Sequence, residues 1–138
     1  MAGFEDQRRA MVRDQLQNRG ISDLFVLNAM GKVRREAFVP PDERDFAYSD
    51  GPLPIGHGQT ISQPFIVAHM TQLLDPGPDD KILEIGTGSG YQAAVLAELT
   101  SHVYSIEIVP ELAARAKQDL NDLGFTSVNI KAGDGYKG

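Results

Sequence analysis

The feature that most constrains this chain is Glu84-Ile85-Gly86-Thr87-Gly88-Ser89-Gly90, a glycine-rich turn between a short apolar run and an Ala/Leu-rich one. Lys81-Ile82-Leu83-Glu84-Ile85 before it reads as a strand, and Tyr91 to Leu99 after it reads as a helix. The alternation then repeats: His102 to Ile108 as a strand, Glu111 to Leu123 as a helix opened by Pro110 and closed by Gly124, and Ser127 to Ala132 as a strand. Such a βαβαβ order implies an α/β, Rossmann-like domain with a parallel sheet and right-handed crossovers. Ligands of open α/β sheets bind at the carboxyl ends of the strands, where the glycine turn falls. Glycines let the backbone turn sharply, and free N–H groups at a helix start favour an electronegative partner.

The acids refine this reading. Glu107 ends the second strand of the unit, about 20 residues past the turn, where an acid can accept hydrogen bonds from ribose hydroxyls. Ile108 follows it. A dinucleotide fingerprint is G-x-G-x-x-G, whereas this turn reads G-x-G-x-G with Glu84 two positions before the first glycine, which disfavours NAD and FAD. A pyrophosphate needs no carboxylate beside it. The α-ammonium of S-adenosylmethionine can use one, and Glu84 is placed to provide it; the plainer alternative is that Glu84 caps neighbouring backbone and the glycines make a tight turn. Gly133-Asp134-Gly135 lies past the third strand at the same edge. Asp134 there reads equally as a partner for an adenine amino group or as a turn residue bonding its own backbone.

Ahead of this unit, Phe4, Met11, Val12 and Leu16 recur at helical spacing up to Gly20, a C-cap glycine. Ser22 is read as the cap of a second helix running from Asp23 toward Val33, with Leu24, Leu27 and Met30 on one stripe. Gly51 to Pro64 is too rich in Gly and Pro for a helix and too apolar for a solvated linker, and reads as a shaped loop. Pro64 then opens a helix lined by Phe65, Ala68, Met70, Leu73 and Leu74, which Pro76-Gly77-Pro78 terminates. Residues 1–78 thus form a helical and loop region, and 79–138 the first half of the nucleoside-binding unit, within one structural domain.

Composition removes several function classes. Thirteen Lys and Arg stand against 19 Asp and Glu, a net charge of -6, so no basic surface is offered to nucleic acid. With no cysteine there is no disulfide, thiolate metal site or Cys nucleophile, which suits a reducing cytoplasm. No run approaches the ~18 apolar residues of a membrane span, and Met1 to Arg13 has no apolar leader. His57, His69 and His102 are scattered without the close pairing of zinc ligands, so no metal is expected; only His57, in the shaped loop, is kept as a candidate substrate contact.

Taken together, Leu53-Pro54-Ile55-Gly56-His57-Gly58-Gln59-Thr60-Ile61-Ser62-Gln63-Pro64, Glu84 to Tyr91 and Gly133-Asp134-Gly135-Tyr136 resemble the motifs of the protein-L-isoaspartate O-methyltransferase family. The glycine turn is shared by many methyltransferases; the Gly-Gln-Thr-Ile-Ser-Gln-Pro stretch is specific to this one. The resemblance implies a class I S-adenosylmethionine-dependent methyltransferase fold and methylation of the α-carboxylate of L-isoaspartyl residues in damaged proteins or peptides. It makes Ser62 the active-site serine, a hydrogen-bond donor to that carboxylate. Without the resemblance, Ser62 reads as a loop hydroxyl serving local backbone. The resemblance also sets Thr60 and Ile61 beside the cofactor, Glu84, Gly86, Thr87, Gly88, Ser89 and Gly90 on its loop, Glu107 and Ile108 at the ribose, and Gly133 and Asp134 at the adenine. Family members continue into a wider sheet whose first strand is central. With the C-terminal strands missing, Ile82 to Ile85 is expected at an open edge. A monomer, or a partner covering that edge, is left open, as are a non-catalytic S-adenosylmethionine-binding fragment and a small-molecule methyltransferase of the same fold.

Overall fold

The computed structural model describes residues 3–137. Met1, Ala2 and Gly138, which the sequence reading sets at the outer ends of its two regions, lie outside the described residues.

Helix α1 (Phe4–Met11) continues through a π-helical turn at Val12–Leu16 and a 3₁₀ turn at Gln17–Arg19 to Gly20, whose φ is +97°. The expected helix with a glycine cap is therefore present, but its middle is widened. Met11 and Leu16 are both buried. Five α-helical residues turn through roughly 500°, which would leave these two side chains on different faces; the wider π turn brings them toward one stripe.

Helix α2 (Leu24–Lys32) is capped by Asp23, whose carboxylate accepts from the N–H groups of Phe25 (2.9 Å) and Val26 (3.3 Å). This corrects the assignment of the cap to Ser22. The backbone N–H groups of Ser22 and Asp23 are held instead by Gln72 Oε1. Leu24, at the first helical position, points outward at 77% exposure, so the buried stripe is Val26, Leu27, Ala29 and Met30.

Two 3₁₀ turns, Arg35–Phe38 and Pro41–Phe46, lead into the segment read as a shaped loop. It contains a hairpin, β1 (Leu53–Gly56) and β2 (Gln59–Ile61), paired antiparallel. His57 and Gly58 both have positive φ (55° and 70°), the pattern of the primed turns that match strand twist. Such a turn was hidden because His is not a usual occupant of it.

Pro64 opens α3 (Pro64–Leu74), which ends at Asp75 before Pro76-Gly77-Pro78. Its buried residues are Pro64, Val67, Ala68 and Thr71, while Met70, Leu73 and Leu74 are exposed, a rotation of the expected stripe. Thr71 anchors that face: its hydroxyl donates to Val67 O (2.7 Å) and accepts from Gln92 Nε2 (2.9 Å).

The rest follows the anticipated alternation: β3 (Lys81–Ile85), α4 (Tyr91–Ala97), β4 (His102–Glu107), α5 (Pro110–Asp122) and β5 (Asn129–Ala132). The strands are parallel in the order β3-β4-β5, with Glu84 opposite Ser105 and Ile85 opposite Ile106. β3 lies at the edge, as expected. Ile82 and Val103 are buried on one sheet face, whereas Leu83 and Ile85 on the other are each 59% exposed. Tyr91 joins the two regions, lying edge-on to Phe38 (5.9 Å between ring centroids) with its hydroxyl against Met30 Sδ.

Candidate functional site

Three positive-φ glycines shape the turn after β3: Gly86 (+91°), Gly88 (+56°) and Gly90 (+91°). The Gly86 and Thr87 N–H groups both donate to Ile106 O, tying the turn to β4. Gly88 N–H donates to Glu107 Oε1 (2.7 Å) and Val109 N–H to Oε2 (3.0 Å), so one carboxylate braces both loops at the strand ends. Gly90 has a different neighbour. A Cβ there would sit 3.3 Å from Ala116 Cβ and 3.4 Å from Leu120 Cδ1, so this glycine permits close packing of α4 on α5.

In front of the turn is a cleft of about 450 Å³, open between β3, α3 and the β2 end of the hairpin. Thr60, Ile61, Ser62, Glu84, Gly86, Thr87, Gly88 and Ser89 line it together with Met70, Thr71, Tyr91 and Gln92. Eight sequence-predicted site residues thus converge on one cavity. Gly90, Glu107, Ile108, Gly133 and Asp134 do not line it. Glu107 is buried directly behind Gly88, and Ile108 is exposed past the end of β4. Gly133 N–H donates to Glu107 O (2.9 Å), Asp134 Oδ1 accepts from Tyr136 N–H (2.9 Å), and Gly135 packs against Ile85. The third motif therefore sits at the same strand ends, where Asp134 Oδ1 serves the turn.

Inside the cleft wall runs a short polar chain. Thr87 Oγ1 lies 2.6 Å from Ser105 Oγ, and Ser105 Oγ donates to Glu84 Oε1 (2.6 Å). Burial pushes Glu84 up to about 7; the Ser105 hydrogen bond opposes this and the nearby Glu107 charge adds to it. None of these influences is a cation, so Glu84 is a carboxyl whose charged form lacks a positive partner. Such a group suits a ligand that brings its own cation. Glu107 keeps a free lone pair on each oxygen while bracing the loops, which leaves acceptor capacity at the strand ends. Thr87 and Ser89 are committed internally, Ser89 Oγ accepting from Tyr91 N–H (3.2 Å).

The opposite wall, Thr60 to Ser62, is held from behind. Arg35, fully buried, donates from Nη2 to Ser62 O (2.9 Å) and from Nε to Ala47 O (2.5 Å). Gln63 Nε2 donates to Asp50 Oδ1 (2.8 Å), and Arg19 pairs with the same carboxylate. Arg115 of α5 reaches across to Ile55 O, tying the hairpin to the sheet unit. Ser62 itself is exposed at the cleft. His57 and His69 are exposed, His69 stacked on Phe65, and His102 is half-buried; none lines the cleft.

Among the residues that escaped sequence reasoning, two brace the site. Ser105 could have been found by aligning the strands, since it is the cross-strand partner of Glu84. Arg35, in the charged run Arg34-Arg35-Glu36, carries no local mark distinguishing it from a solvated arginine.

A parallel sheet whose glycine turn and terminal acid meet at the strand ends defines a Rossmann-like methyltransferase fold, and solved structures agree. A protein-L-isoaspartate O-methyltransferase superposes with a TM-score of 0.82 at 29% identity, over 94% of this chain and 43% of that one. A Plasmodium falciparum protein described as a beta-aspartate methyltransferase, solved in complex with S-adenosyl-L-homocysteine, gives 0.80 at 25% identity, over 94% and 64%. The family model for protein-L-isoaspartate(D-aspartate) O-methyltransferase matches residues 6–138, and the chain belongs to that family. Protein-L-isoaspartate O-methyltransferases of Synechococcus sp. and Gloeobacter violaceus are 60% and 59% identical to it, over 98% and 93% of this chain. The chain spans 55% and 62% of those relatives' own lengths.

Proposed function

We propose that this chain binds S-adenosyl-L-methionine in the cleft and serves methyl transfer to the α-carboxylate of L-isoaspartyl residues in damaged proteins and peptides. The observation that carries this reading is the convergence of two separately read motifs, Thr60 to Ser62 and Glu84 to Ser89, on opposite walls of one cavity. When bound, the cofactor supplies an electrophilic sulfonium methyl. Glu84 would take its ammonium group, with Gly86, Thr87, Gly88, Ser89 and Gly90 shaping the loop around it and Thr60 and Ile61 alongside. Glu107 and Ile108, at the strand ends beside the cleft, would meet the ribose, and Gly133 and Asp134, whose Oδ1 also serves the local turn, the adenine as the cofactor extends past the cleft.

Ser62 is assigned to donate a hydrogen bond to the substrate carboxylate. A carboxylate is ionised at neutral pH, its unperturbed pKa being about 4, so no side chain need remove a proton from it. The work left to the protein is orientation and exclusion of water. Ser62 is not cast as a nucleophile, for no His lines the cleft to activate it. Residues 1–78 then carry the substrate loop, whose Thr60 and Ile61 also flank the cofactor, and 79–138 the cofactor loop. Partners are isoaspartyl-bearing proteins and peptides, met in the cytoplasm, a reducing setting that suits a chain without cysteine. No helix among the described residues is long and apolar enough to cross a membrane.

The test is transfer of labelled methyl from S-adenosylmethionine to an isoaspartyl peptide, with the aspartyl form as control. Base-labile label on the isoaspartyl peptide alone is the expected result. Equal labelling of both, or none on either, would overturn the assignment.

A further inference from the structure

Among the described residues Arg35 is the most completely buried charged side chain, and none of their acids pairs with it. Its Nε and Nη2 reach the carbonyls of Ala47 and Ser62, its guanidinium lies 4.8 Å over the Tyr91 ring, and Nη1 has no hydrogen-bond partner among the described residues. The influences on its ionisation are burial, which lowers its pKa, and the Tyr91 and Tyr48 phenols; no carboxylate is among them. The adjacent Glu36 is engaged elsewhere, by Arg8 and by the Tyr48 hydroxyl. A buried charge without a counter-ion is costly to keep, and structures ordinarily supply a partner. Of the three groups against the guanidinium, Ser62 and Tyr91 line the cleft and Ala47 does not. The positive charge is thus one residue deep behind the wall, where low dielectric carries its field further than water would.

We infer that Arg35 is the positioning residue of the Ser62 wall: it fixes the Ser62 backbone through its carbonyl and makes that end of the cleft selective for an anionic carboxylate. The inference rests on the carboxyl-methylation reading above and deepens it by assigning the source of substrate-charge selectivity. A neutral tie to the Ser62 carbonyl would give the position without the charge preference. An exposed arginine would give a preference quenched by solvent. Arg35 combines fork geometry and fixed charge, which lysine shares only in part.

The experiment compares two versions of one isoaspartyl peptide, with a free α-carboxylate and with an α-carboxamide, binding to the chain saturated with S-adenosylhomocysteine. The wild-type chain is expected to prefer the carboxylate. In Arg35→Met both affinities drop with the lost Ser62 tie, and the preference for the carboxylate falls in addition by about tenfold, as befits one lost charge interaction. Equal weakening of both peptides would reduce Arg35 to a structural role, and an unchanged preference would remove its charge from recognition; either overturns the inference. Should Arg35→Met not fold, Arg35→Lys decides: the preference is retained while the Ser62 carbonyl ¹³C resonance moves, and loss of the preference with the charge still present refutes the assignment. A wild-type chain that binds isoaspartyl and aspartyl peptides alike would instead sink the parent reading, and this one with it.

Discussion

The two walls of the cleft are built by different means. Residues 79–137 hold the glycine turn through a parallel ladder and two crossover helices, so that each functional position follows from its place at a strand end. Residues 3–78 hold the Thr60 to Ser62 wall through individual side-chain ties: Arg35 to Ser62 O, and the neighbouring Gln63 to Asp50, which Arg19 also pairs. Backbone periodicity secures the first wall, and individual polar ties secure the second.

Tyr91 is where the comparison should break most visibly, since this buried ring serves both regions. Tyr91→Ala removes its contacts with Phe38, Met30 and Arg35 and is expected to cost about 3–5 kcal/mol, the range for large aromatic truncations. Urea unfolding measures it. A loss below about 1 kcal/mol would mean that the two regions do not share a core.

Glu84 comes next, with a sign set by pH. Its folded pKa of about 7 lies above the ordinary value of 4.5, so between these the folded chain holds a proton that the unfolded chain has released. Stability from this group is complete below pH 4.5, declines as pH rises to about 7, and is flat above. Glu84→Gln removes that slope, making the variant more stable at pH 8 by up to about 3 kcal/mol and near wild type at pH 4. Parallel slopes in melts of both proteins across that range would refute the burial assigned to Glu84. By the same linkage, an ammonium ligand binds wild type more tightly as pH rises through 7.

Smaller effects sharpen the contrast. Gly90→Ala forces a side chain into positive φ and against Ala116, at about 1–2 kcal/mol, measurable by calorimetry. Asp23→Ala should cost about 1 kcal/mol through loss of the α2 cap. Ser22→Ala leaves stability unchanged, because only the Ser22 backbone is engaged. A reversed ranking of Asp23 and Ser22 would restore the cap read from sequence.

The same division explains what was legible. β3, α4, β4 and α5 were read to within a residue or two because strand length, glycine turn and Pro110 act locally. In the other region the rules were respected but the faces were mistaken. Leu24, Met70 and Leu73 match a buried stripe in spacing yet stand in solvent, because which arc of a helix is covered depends on where its neighbours lie. The hairpin was missed because His57 took a turn position that glycine or asparagine usually signals. Motif residues on both cleft walls were found, but Arg35 and Ser105 act only through partners brought together by folding.

Gly90 has a mechanical meaning as well. It begins α4 directly after the Gly86 to Ser89 turn, and the hydrogen atom it presents to Ala116 and Leu120 acts as a shim between two helices. The seating of α4, which follows the turn, thus depends on a contact with α5 made by residues that do not line the cleft.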